Sequence, residues 1–154
     1  MSRLFQTLAW LPVQLFFERP VRHKSSAELS AMLARAGTTL EQALTKVTES
    51  PQSHALITHI IGIERWAQAR LKVGLGSPMP HDEYNGYRPA KTTPWQDLRP
   101  LFQQARAESV ALVAQLSEAD LQRVILHNQW GNLSLRGWAY YIQQHAAIEM
   151  RKLV

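Results

Sequence analysis

The sequence predicts an all-α protein: a four-helix bundle with one long crossover connection and a small hairpin before the last helix. Three observations predict it. Four segments repeat apolar residues every three or four positions, the spacing of a one-sided helix. A stretch rich in Pro and Gly, residues 77–94 (SPMPHDEYNGYRPAKTTP), separates the second segment from the third. The chain has 154 residues, 45% of them apolar and 19% charged, which suits one folded domain with its own core.

The first helix is expected over Ser26–Val47, with Leu29, Leu33, Ala36, Leu40, Leu44 and Val47 on one face. Ser25 or Ser26 can cap it, Gly37-Thr38-Thr39 interrupts it, and Pro51 ends any continuation. The second begins at Ser53 as N-cap and carries Leu56, Ile60, Ile63, Ala67 and Leu71 until Gly74, Gly76 and Pro78 stop it. The third begins with Asp97 as N-cap, so that Pro100 falls in the first turn; its apolar positions are Leu101, Ala105, Leu112 and Leu116. Ser117 and Asp120 form a capping box for a short following turn. Val124–Leu133 (VILHNQWGNL) has the content of a hairpin. The fourth helix follows Ser134 and runs to about Leu153.

Residues 1–25 are expected as an N-terminal arm and residues 26–154 as the bundle domain. The arm contains Leu4–Phe17 (LFQTLAWLPVQLFF), shorter than the roughly 20 apolar residues of a spanning helix and broken by Gln6, Pro12 and Gln14. No small-residue cleavage site follows it. The arm is read as packing on the body or as poorly ordered; membrane-surface contact through residues 4–17 is the less favoured alternative.

The absence of cysteine excludes disulfides, thiolate metal sites and cysteine nucleophiles, and it suits a reducing, cytoplasmic setting. The formal charge of +5 is uneven. Arg3, Arg19, Arg22 and Lys24 face Glu18 alone in the first 24 residues, whereas the remaining 130 carry 13 basic and 11 acidic side chains. The body has no basic run, so no nucleic-acid partner is expected.

The chemistry-bearing positions lie on the second and fourth helices. Leu135, Ala139, Ile142, Ala146, Met150 and Leu153 form the apolar stripe of the fourth helix; Glu149 falls inside it, and His145 lies at its margin beside Trp138. Four residues apart, the two stack on one face. A carboxylate facing a core must protonate or meet a cation, here a metal ion or an arginine from another helix. His59 sits at the edge of the second helix's stripe. Two imidazoles and a carboxylate suit Zn, Ni or Fe and leave coordination positions open. The structural alternative is a hydrogen-bonded histidine and a Glu149 that reaches water from a frayed last turn. Glu64 also interrupts an apolar stripe, with Arg65 or Arg70 available to pair with a neighbouring helix. His23, His54 and His81 read as surface or loop histidines, and Trp66, Trp130 and Trp138 as packing.

Two stretches together resemble the DinB/YfiT-like superfamily over about residues 26–153. They are HIIGIERWAQARL (59–71) followed by DEYNGYRP (82–89), and HNQWGNLSLRGWAYYIQQHAAIEMRKL from His127 to Leu153. The resemblance implies a four-helix bundle, commonly a homodimer, with a three-histidine site for Zn or Ni. It places the first ligand at His59 and the second at His145; where the family has a third histidine, this chain has Glu149. Some relatives are thiol-dependent transferases or hydrolases acting on small molecules. The expected function is therefore that of a divalent-metal-binding protein of either kind. Asp82, Tyr84 and Tyr87 of the connection would cover the site's mouth, and Tyr84, Tyr87 and Trp138 would line a substrate pocket. The alternative is a non-catalytic helical interaction module whose metal site has lapsed.

Overall fold

The computed structural model describes residues 13–153. Helix α1 (Ser26–Leu44) starts from a complete capping box: Ser25 accepts from the Glu28 backbone, and the Glu28 carboxylate accepts from the Ser25 N–H at 2.8 Å. Gly37 lies within α1 because a Cβ there would meet Cγ of Arg106 at 2.7 Å. Helix α2 (Pro51–Gly74) begins earlier than expected, with Ser50 and not Ser53 as its N-cap; Ser50 Oγ accepts from the Ser53 N–H at 3.0 Å. Pro51 occupies the first helical position, where a missing N–H has no cost. Pro51, expected only to end the first helix, thus starts the second, while α1 has already stopped at Leu44 with Thr45 as its C-cap.

A 3₁₀ turn, Tyr84–Tyr87, punctuates the crossover and packs on α2. Arg88 secures the connection by donating to the Ala55 carbonyl and the Thr58 hydroxyl at 2.7 and 3.0 Å. Gly62 allows that approach, since a Cβ there would lie 3.2 Å from the Arg88 Cα. His54 Nε2 sits 2.7 Å from the Thr93 carbonyl oxygen, at the far end of the same connection.

Helix α3 spans Trp95–Gln115. Asp97 is not its N-cap: it lies in the first turn, where a carboxylate meets the positive end of the helix dipole. Pro100 consequently falls inside the helix, where its ring nitrogen cannot bond to the Gln96 carbonyl. The short helix α4 (Glu118–Leu121) has the expected Ser117/Asp120 capping box. Strands β1 (Val124–His127) and β2 (Gly131–Ser134) pair antiparallel, with Ile125 opposite Leu133 and His127 opposite Gly131. Gly131 takes a φ of 78°, the left-handed conformation that lets Asn128-Gln129-Trp130 close the hairpin. Helix α5 (Leu135–Met150) is capped by Ser134.

In the bundle α1 and α2 each pack against both α3 and α5. One core cluster gathers Leu29, Leu33, Trp66, Leu71, Leu133 and Trp138; a second gathers Leu40, Ile57, Ile61, Phe102, Ala146 and Met150. Between α2 and α3 lies a buried ion pair. Arg106 forks onto Glu64 at 2.7 and 2.8 Å, and Ser109 donates to the same carboxylate at 2.9 Å. The cation answering Glu64 thus comes from α3. Arg70 lies six residues on, about 240° around the helix, and pairs instead with Asp82 of the crossover at 2.8 Å.

Residues 13–25 pack on the bundle. Val13 and Val21 are buried in the core, flanking a π-helical turn at Gln14–Glu18. Glu18 accepts hydrogen bonds from the Ser134 N–H and hydroxyl at 2.8 and 2.7 Å, and it lies against Gly137, where a side chain would displace it. Leu15 and Phe16 are exposed. Residues 4–12 of the apolar stretch, on which the expectation of membrane contact chiefly rests, lie outside the described residues. Among the described residues no helix is long and apolar enough to cross a membrane.

Candidate metal centre

Because α2 and α5 are neighbours, the edge position of His59 opens toward α5. The four-residue spacing on α5 sets Tyr141, His145 and Glu149 one turn apart on the facing side. His59, His145 and Glu149 each offer a ligand atom, and these atoms all lie within 4.8 Å of one another. The two Nε2 atoms are 3.2 Å apart. Two nitrogens bound at about 2.0–2.1 Å to one tetrahedral ion would be separated by roughly 3.3 Å, so the imidazoles stand at the spacing a shared ion requires. The donor set of two nitrogens and one carboxylate fits a borderline divalent metal. Glu149 has a local partner, Lys152, at 2.7 and 2.8 Å. That lysine is 59% exposed and can turn to water without leaving a buried charge.

Burial sets the protonation of the imidazoles. It lowers the pKa of His145 to about 4, with the neighbouring His59 adding to the effect, and lowers that of His59 as well. His127 is likewise lowered to about 4 by burial, assisted by Arg70. All three rings are neutral near pH 7, the form that offers a lone pair. Burial also raises the pKa of the Tyr141 hydroxyl, with the charge of Glu149 contributing.

A stability prediction follows from these directions. An unfolded imidazole takes up a proton below about pH 6.5, whereas His145 and His127 in the folded chain do so only near pH 4. Between those values the unfolded state binds more protons, so the stability present above pH 6.5 is lost as pH falls toward 4. The loss should be about 2–3 kcal/mol per histidine. Thermal melting followed by circular dichroism from pH 7.5 to 4 should show it, and a midpoint constant across that range would refute it.

The three donors open onto a cavity of about 400 Å³. Its wall includes Phe17, Trp66, Trp130, Tyr141 and Ile148, with Tyr84 placed edge-on to His59 at 5.3 Å between ring centres. Of the three pocket residues expected from sequence, Tyr84 lines this cavity. Tyr87 and Trp138 do not. The Tyr87 hydroxyl is taken by Asp82, which is itself drawn to Arg70. Trp138 is fully buried, its indole N–H donating to the Ile125 carbonyl at 3.2 Å. Trp66 and Trp130, read as packing, contribute to the wall. Among the further wall residues that escaped the sequence reading are His127 and Tyr141. The four-residue spacing from His145 could have found Tyr141. Strand alternation in β1, where Ile125 and His127 are buried, could have found His127.

Fold and site together define a class: a helical bundle in which two of the long helices aim two imidazoles and a carboxylate at one point beside a small-molecule-sized cavity. The chain belongs to the DinB superfamily, whose family model matches residues 3–151. That match reaches well ahead of Ser26 and so takes in the N-terminal segment, which the sequence resemblance had left outside. No curated protein and no solved structure matches the chain.

Proposed function

We propose that this protein holds one divalent metal ion, Zn or Ni first, through His59, His145 and Glu149. It would act as a hydrolase or thiol-dependent transferase on a small molecule bound in the adjoining cavity. The observation that carries this reading is the convergence of the three donor atoms from two helices. Bound there, the ion would supply Lewis acidity and lower the pKa of whatever water or thiol it held. His59 and His145 present neutral nitrogens, so little proton competition opposes binding at neutral pH. Glu149 contributes the negative charge that a histidine could not. Phe17, Trp66 and Tyr84 give the cavity apolar surface, beside which charge interactions are stronger than in bulk water.

The test is metal analysis of the purified chain, with thermal melting in added Zn or Ni. Close to one ion per chain is expected. An ion at 100 times its Kd should also stabilise the fold by about 2.7 kcal/mol. No bound metal and no shift in melting would overturn the reading in favour of a non-catalytic interaction module. Two contacts favour that module: Lys152 on Glu149, and the direct approach of His59 to His145.

A further inference from the structure

The hairpin turn holds the His127 imidazole in a single tautomer. Its Nδ1 accepts from the backbone N–H groups of Gln129 and Trp130 at 3.1 and 3.3 Å. A nitrogen that accepts two hydrogen bonds carries no proton, so in the neutral ring the proton sits on Nε2. The residue is 2% exposed, yet this Nε2–H has no hydrogen-bond partner among the described residues. Buried donors are almost always paired, and His127 is among the residues that line the cavity, so its unpaired donor is a candidate for a ligand bound there.

The surroundings say what kind of ligand. The His127 ring is stacked on Trp138 at 4.9 Å and stands edge-on to Trp66 and Tyr141 at 5.1 and 4.6 Å, so it cannot swing away. Phe17 and Trp130 give the remaining wall flat apolar faces and Ile63 adds to them, while Asn128, Gln129 and Gln144 are its polar members. We propose that the cavity binds a small molecule with a planar, apolar body and an oxygen acceptor of the carbonyl type, and that Nε2–H of His127 donates to that oxygen. His127 thus selects the ligand and is no metal ligand. The inference rests on the cavity being the binding site, as the proposed function has it, and it does not require the metal to be bound.

The experiment compares two probes of one shape, 4′-fluoroacetophenone and 4-fluoroethylbenzene, titrated into the full chain by ¹⁹F NMR. A single well-placed hydrogen bond should make the ketone bind about tenfold more tightly. His127→Asn retains an acceptor near the position of Nδ1 and removes the distal donor. It should bring the ratio to about one, since the ketone then loses the one bond that sets it apart from ethylbenzene. Should that variant fail to fold, ¹⁵N spectra of the wild-type histidines decide: Nε2 of His127 should be protonated, and its resonance should move with the ketone and not with ethylbenzene. A wild-type ratio of one, no binding of either probe, an unchanged ratio in His127→Asn, or a proton on Nδ1 would each overturn the proposal. Metal analysis of the same sample separates the two readings. A metal-free chain with a tenfold ratio refutes only the metal, whereas a metal-loaded chain with a ratio of one refutes only the role of His127.

Discussion

His145→Ala is expected to lower metal affinity by at least about 100-fold and to abolish stabilisation by added Zn or Ni. Losing a group that merely orients a ligand already costs 10–100-fold, and His145 would be a ligand itself. It also stands nearer the point of convergence than any substitute on α5 could, its Nε2 lying 3.2 Å from that of His59. The fold should tolerate the change. Alanine favours a helix, and removal of a half-buried imidazole leaves no orphaned charge, since Glu149 retains Lys152. Competition with a chromophoric chelator gives the affinity, and melting with and without metal gives the linked stability. Undiminished metal binding in this variant would place the ion elsewhere and end the case for the centre.

The largest effect on stability is expected at the other side of α2. Arg106→Ala strands Glu64, which is 1% exposed and, among the described residues, otherwise held only by Ser109. Removing one member of a buried pair costs about 3–5 kcal/mol, because the remaining charge has neither water nor a partner. For a chain of this size that lowers the melting midpoint by roughly 6–20 °C. A Glu64→Leu/Arg106→Met double variant should regain most of the loss, since no charge is then left buried and Ser109 can still donate to the Ala105 carbonyl at 3.2 Å. Denaturant unfolding of the three chains measures both effects. A loss below about 1 kcal/mol in Arg106→Ala would show that water reaches Glu64 and that the pair is not the lock between α2 and α3.

The elements legible in the sequence were those decided by neighbours in the chain. Apolar spacing marked all four long helices, and the serines before α1 and α5 marked their starts, because a cap acts within three residues. The hairpin was legible from its turn content. Boundaries slipped where two local signals competed. Ser50 and Ser53 could each cap α2, and the preference of Pro51 for the first helical position decided between them. Asp97 is a good cap by type, yet α3 starts ahead of it and carries Pro100 inside.

The candidate site was legible in part for the same reason. His145 and Glu149 share a face through spacing along one helix, and His59 entered through its position at the edge of the stripe on α2. Their meeting point is a tertiary fact. The partner of Glu64 was missed because an ion pair between helices depends on which helices adjoin, and Arg106 is 42 residues away. Tyr87 and Trp138 were misplaced because each found a closer polar partner, Asp82 and the Ile125 carbonyl.

By itself, then, the sequence determined the four helices, their apolar faces, the absence of thiolate ligands and the three candidate donors, all of which follow from residue type and spacing along the chain. Only the tertiary structure decided that α2 lies beside α5, that the N-terminal segment docks through Glu18, and that the hairpin turn pins His127 with one nitrogen committed and the other without a partner among the described residues. The reason is physical: periodicity fixes the direction a side chain takes from its own helix, whereas its partner depends on how whole helices pack to bury their apolar faces.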